Sequence, residues 1–208
     1  MKKIPCLFKR DYEGDNKLVY DEVNEGCEWV LAGEGIATRK FDGTCCLIKD
    51  GKYFKRYTLK RGKKAPKGFI AVTEVDPNTG KQFGWVPLGP YDHYHMEALM
   101  YHRMMNEFLP DGTYELCGPK VNSNNERFST HSMVKHGEVV LLNVPHNFSG
   151  LRDYLCDKDI EGIVFHHRDG RMAKIRKCDF GFKRSCDLTQ SLEQKQVKRL
   201  CKGCIDGL

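Results

Sequence analysis

The chain has 208 residues, 40% of them hydrophobic and 30% charged, with a formal net charge of +6. This is the balance of an ordinary soluble globular protein of about one domain, long enough to bury a core. No apolar run approaches the ~18 residues that span a bilayer, and MKKIPCLFKR has no apolar stretch of a signal peptide, so neither is expected.

Taken in chain order, the elements are mostly strands. Thr44 to Lys49 and Lys52 to Leu59 flank Asp50-Gly51, a tight-turn pair, and predict a β-hairpin. Phe69 to Glu74 and Gln82 to Leu88 predict two more strands around the turn Asp76-Pro-Asn-Thr-Gly80. Met96, Leu99, Met100, Met104 and Phe108 recur at helical spacing, which predicts a helix over Asp92 to Phe108 with Asp92 as its N-cap and the methionines in the core. Strands are expected at Thr113 to Cys117 and Glu138 to Val144, with a short helix over Leu151 to Cys156 capped by Ser149. Ile160 to His167 and Arg171 to Lys177 predict a second hairpin across Arg168-Asp-Gly170, and Asp187 to Leu200 a polar terminal helix. Hairpins outnumber helices, so the fold class is α+β on antiparallel sheets.

Ten cysteines raise the question of disulfides. Cys45 and Cys46 are adjacent on a strand and point to opposite faces. With no export signal, a cytoplasmic or other reducing intracellular compartment is expected. Cys201-Lys-Gly-Cys204 has zinc-ligand spacing that Cys178 and Cys186 would complete; free thiols are the alternative.

Charge is unevenly spread. Residues 49–67 hold nine Lys or Arg and one acid, and residues 171–184 are also strongly basic, each run with interleaved aromatics. A run of this kind is either a solvated face or part of a phosphate groove. In residues 172–177 the strand alternation puts Met172, Lys174 and Arg176 on one face and Ala173 and Ile175 on the other. Lys40 stands just before Asp42-Gly43, Glu115 lies on a strand before Gly118-Pro119, and Glu161-Gly162 opens an apolar strand. One special lysine, two acids and further cations suit nucleotidyl transfer, in which a lysine amine attacks an α-phosphate and expels pyrophosphate. A free lysine has a pKa of ~10.4, so making the amine half neutral near pH 7.4 costs roughly 4 kcal/mol, which neighbouring cations or a metal can supply.

Lys40-Phe-Asp42-Gly43 resembles the K-x-D-G motif of the covalent nucleotidyltransferases: DNA ligases, RNA ligases and capping enzymes. Tyr114-Glu115-Leu116-Cys117-Gly118-Pro119, Glu161-Gly162-Ile163-Val164-Phe165 and Lys174-Ile175-Arg176 resemble the family's later motifs, in the family's order. The segment Lys40 to Cys46, with its DGTCC, resembles the vertebrate ATP-dependent 5′–3′ RNA ligases, as do Val144-Pro145-His146 and the strand Glu161 to Val164. The resemblance implies a nucleotidyltransferase domain (an adenylyltransferase, ATP-grasp-like) over residues 1–185 with a short tail over 186–208. It implies ATP as substrate and Mg²⁺ or Mn²⁺ as cofactor.

The resemblance also implies roles. Lys40 is the nucleophile that carries AMP. Asp42 and Gly43 shape the turn and the ATP pocket. Glu115 contacts the ribose or the metal's water shell, and Glu161 organises the metal. Lys174 and Arg176 contact the α-phosphate and the departing pyrophosphate. Arg56, or else Arg61, touches ribose or RNA phosphate, and Lys63 and Lys64 join them in binding RNA. Leu141 or Leu142 supplies the apolar wall against adenine.

About 31 residues follow Lys177, too few for the oligonucleotide-binding domain of about 100 residues that DNA ligases and capping enzymes carry. The sequence therefore reads as a monomeric RNA ligase joining 5′-phosphate to 3′-hydroxyl ends, a repair activity. The alternatives are a catalytically silent RNA-binding protein of the same fold and an enzyme that transfers AMP to protein.

Overall fold

The computed structural model describes residues 3–14 and 17–184; the expected terminal helix, the tail over 186–208, and Cys186, Cys201 and Cys204 lie outside the described residues. Three helices are present among the described residues, none long and apolar enough to cross a membrane.

Two antiparallel sheets organise the chain. Strands β1 (Phe8–Arg10) and β2 (Val19–Val23) form a small ribbon, followed by the short helix α1 (Glu28–Leu31) and by β3 (Ile36–Lys40). Strands β4 (Thr44–Lys49) and β5 (Lys52–Leu59) form the expected hairpin, followed by β6 (Ile70–Ala71) and β7 (Gln82–Pro87). Helix α2 (His93–Met104) precedes β8 (Gly112–Cys117) and β9 (Ser132–Lys135). Helix α3 (Phe148–Asp157) precedes β10 (Gly162–His166) and β11 (Met172–Arg176). The larger sheet has the order β6-β7-β5-β4-β8-β9, and the smaller β11-β10-β3.

Each sheet has its own core. Leu7, Phe8, Val30, Leu151, Leu155, Ile163, Phe165, Ala173 and Ile175 are fully buried behind the smaller sheet. Cys46, Ile48, Ala98, Tyr114, Leu116 and Met133 pack behind the larger one. The chain passes from the smaller sheet to the larger through Phe41, Asp42 and Gly43 alone, between the end of β3 and the start of β4.

Several expectations are corrected. Helix α2 turns His95, Ala98 and His102 inward, and leaves Met96, Met100 and Met104 exposed, with Phe108 exposed beyond its end. The histidines are held by specific partners: His102 Nε2 accepts from the Met133 amide at 2.9 Å, and His95 Nδ1 lies 3.0 Å from the Tyr53 hydroxyl. Polar groups with partners can be buried, so hydropathy alone picked the wrong face.

Residues 138–144 form no strand. One bridge joins Val140 to Thr38, flanked by Arg39 N to Val139 O at 2.8 Å and Leu141 N to Ala37 O at 2.9 Å. Leu142 is 77% exposed, and Leu141 packs against the core behind the smaller sheet; neither, expected as the adenine wall, lines the cavity between the sheets. The strand beside β8 is instead β9, which sequence reading passed over.

The cap of α3 is Asn147, whose side chain accepts from Gly150 N at 2.8 Å; Ser149 donates to Asn147. Asp92 holds the N-cap position of α2, but its carboxylate accepts from Gly89 N and pairs with Lys55 rather than capping the helix.

Candidate active site

A cavity of about 480 Å³ opens between the two sheets. Its smaller-sheet wall carries Thr38, Arg39 and Lys40 of β3, Val164 and His166 of β10, and Met172 and Lys174 of β11. Its larger-sheet wall carries Cys45, Arg56, Thr113 and Glu115, with His136 and Gly137 after β9. Ile4, Phe41, Val164 and Met172 give it an apolar side.

Lys40 closes β3, opposite Gly162 of β10, which brings it beside Glu161. Its Nζ pairs with Glu161 Oε2 at 2.5 Å and donates to Phe41 O at 3.4 Å. Gly162 lets β10 lie close against β11. A Cβ there would stand 2.3 Å from Ile175 O of the neighbouring strand. Burial pushes the Glu161 carboxyl up, and the Lys40 ammonium pulls it back. Lys174 projects from β11, its backbone held between Pro5 O and Leu7 N. Burial, reinforced by the charges of Lys40 and Arg176, lowers its ammonium below the ordinary lysine value.

The Asp42-Gly43 turn is tied down from three sides. Asp42 accepts from Asn122 Nδ2 at 2.8 Å and Asn125 Nδ2 at 2.9 Å. Its own N–H donates to Glu126 Oε1 at 3.0 Å. Gly43 N–H donates to Glu115 Oε1 at 3.1 Å, and a Cβ on Gly43 would meet Leu116 O at 2.2 Å. Glu126, almost fully buried, also pairs with Arg39 Nη2 at 2.5 Å and Arg184 Nη1 at 2.6 Å.

Glu115 Oε2 lies 2.8 Å from His136 Nε2, whose Nδ1 lies 3.0 Å from Thr113 Oγ1. Cys45 pairs directly across from Glu115 between β4 and β8, while Cys46 faces the core, as the strand alternation predicts. Burial, then the Glu115 charge, pushes the Cys45 thiol up to about 11.

Lys40, Arg56, Glu115 and Lys174 thus line one cavity with Glu161 at its edge. Arg56 packs its guanidinium over the Phe83 ring at 5.0 Å. Arg176 points elsewhere: its Nη2 pairs at 2.8 Å with buried Asp179, which also holds Arg10. Arg61, Lys63 and Lys64 are exposed on the loop after β5, outside this cavity. The second basic run is largely taken up by partners. Lys177 is buried and donates to Cys156 O at 3.1 Å and Lys158 O at 2.8 Å, Arg171 pairs with Asp169, and Arg184 pairs with Glu126. Sequence reading missed Arg39, Cys45, Glu126, His136 and His166. Only Cys45 had a signal, its place on a strand opposite the inward Cys46.

No family model matches the chain. It is similar to RNA ligase 1 of Rattus norvegicus, 23% identical over an alignment of 266 positions, gaps included, that covers 86% of this chain and 81% of that protein. RNA ligase 1 of Danio rerio is 23% identical over 272, covering 88% and 81%. RNA ligase 1 of Mus musculus is 23% identical over 264, covering 86% and 80%. The chain is a distant relative of these RNA ligases.

Proposed function

We propose that this chain is an ATP-dependent RNA ligase with a nucleotidyltransferase domain over residues 1–185, sealing 5′-phosphate to 3′-hydroxyl ends through AMP carried on Lys40. The observation that carries this reading is the Lys40–Glu161 pair, 2.5 Å apart at the edge of a cation-lined cavity between two sheets. The distant relationship to RNA ligase 1 supports it.

In the first step the Lys40 amine attacks the α-phosphate of ATP and pyrophosphate leaves. AMP then passes to the 5′-phosphate of RNA, and attack by a 3′-hydroxyl releases AMP. Glu161 accepts the proton Lys40 must lose and afterwards faces the phosphoamide. Lys174 and Arg56, reaching the cavity from opposite sheets, neutralise charge gathering on the phosphates. Ile4, Phe41, Val164 and Met172 offer the base an apolar wall. Arg61, Lys63 and Lys64 hold the RNA backbone outside.

The residues fit a hard divalent cation. Mg²⁺ is held through one or two carboxylates with the substrate's phosphates and water completing its shell, and Glu161 and Glu115 provide two carboxylates here. Bound Mg²⁺ or Mn²⁺ supplies charge neutralisation at the α-phosphate.

The test is incubation with α-labelled ATP and Mg²⁺ or Mn²⁺, followed by a denaturing gel. A covalent label on the native chain, absent from Lys40→Ala, is expected, and 5′-phosphorylated RNA then yields a sealed product. Absence of label on folded, metal-supplied protein points to RNA binding without turnover. A label that passes to protein and never to RNA points to AMP transfer to protein.

A further inference from the structure

The larger-sheet wall of the cavity holds a second constellation that the ligase reading does not use as a unit. The thiol of Cys45, a carboxylate oxygen of Glu115 and a ring nitrogen of His136 all lie within 4.8 Å of one another. They come from three neighbouring strands or strand ends in the order β4, β8, β9. Hydrogen-bonded sheet therefore fixes the spacing of the backbone that carries them.

The neighbours of His136 suit a cation. Its Nε2 lies 2.8 Å from Glu115 Oε2, a hydrogen bond whose proton an ion would replace. On its other side His136 Nδ1 meets Thr113 Oγ1 at 3.0 Å, the outer hydrogen bond that orients a metal-binding imidazole. A sulfur, a nitrogen and a single oxygen form a donor set for zinc-class ions rather than for Mg²⁺, which takes oxygens. The cavity in front leaves room for a fourth ligand from solvent or substrate.

We propose that Cys45, Glu115 and His136 bind a thiophilic divalent metal, of the zinc class, on the wall of the cavity. On binding, the Cys45 thiol gives its proton to solvent, the proton between His136 and Glu115 moves to His136 Nδ1 and points at Thr113 Oγ1, and the three freed lone pairs go to the ion. Glu115 would then serve this ion in place of Mg²⁺, and the site stands whether or not Lys40 carries AMP.

The experiment is titration of the metal-stripped full chain with Co²⁺ under argon in a thiol-free reductant. It follows the near-ultraviolet thiolate-to-cobalt absorption and the visible bands that report coordination geometry. A Cys201→Ser/Cys204→Ser variant removes the other cysteines with ligand spacing and is expected to keep the band. In that background Cys45→Ser, nearly the same size, abolishes it, and His136→Gln weakens Co²⁺ binding at least tenfold. Zn²⁺ displaces the cobalt, millimolar Mg²⁺ does not, and Lys40→Ala leaves the spectrum unchanged, which separates this site from the ligase reading. A band that survives Cys45→Ser, that disappears with Cys201 and Cys204, or that yields to Mg²⁺ overturns the proposal, as does absence of any thiolate band in the native chain.

Discussion

Lys40 and Glu161 are each only partly buried, yet each is placed by groups that are not. Glu161→Gln preserves size and removes the carboxylate proposed to accept the amine proton. Label incorporation from ATP is expected to slow by about 10²-fold or more, read as an initial rate beside Lys40→Ala. Glu126 acts at one remove. It holds the Asp42 amide and two arginines while 99% hidden, so Glu126→Gln leaves buried charge unmatched. A loss of about 3 kcal/mol is expected, roughly 6–12 °C in the thermal midpoint for a chain of this length, measured by calorimetry. Lys40, Asp42, Gly43, Glu115, Glu161 and Lys174 were legible because their residue types stand at motif spacing. Glu126 was not, because it lies in an irregular loop and owes its role to partners 84 and 87 positions away.

At the scale of elements, alternation and turn chemistry were enough to place β4, β5, β10 and β11. Each pairs with a near neighbour across an Asp-Gly turn, so local sequence determines register. Pairings between distant segments were not legible: β3 with β10, β8 with β9, and the lone bridge at Val140. The apolar run before Val144 has strand composition but only a short stretch of partner.

Two predictions belong here. Gly162→Ala sets a methyl against Ile175 O and is expected to part β10 from β11, lowering both the thermal midpoint and the rate of labelling. Gly170→Ala, in a turn with open space, is the control for the second readout. Asp179 ties β1 to β11 through Arg10 and Arg176. Burial alone would raise its carboxyl, but the hydrogen bonds from the two arginines prevail and hold it below the ordinary value. Its contribution is therefore complete above the ordinary aspartate pKa of about 3.9 and is lost as pH falls through the lowered folded value. Urea midpoints measured from pH 7 to pH 3 should drop less steeply for Asp179→Asn than for the native chain.

The molecule as a whole keeps one basic surface and spends the other. Lys60, Arg61, Lys63 and Lys64 are exposed on one loop, whereas the basic residues near β11 are mostly paired or buried. Replacing these four by alanine is expected to weaken RNA binding and to flatten the dependence of log Kd on log salt by up to about 3, measured by fluorescence anisotropy. A slope unchanged in that variant would place the RNA elsewhere. Composition disclosed the charge; only the fold disclosed which charges were already taken.

The partnership of Lys40 with Glu161 spans 121 positions of sequence. During synthesis at about 5–20 residues per second, the lysine leaves the ribosome on the order of ten seconds before its counter-ion exists. The larger sheet, complete at β9, can form in that interval, but β3 must wait for β10. A growing chain therefore carries Lys40 with no carboxylate beside it, and the Lys40–Glu161 pair is made only after every strand of the larger sheet has emerged.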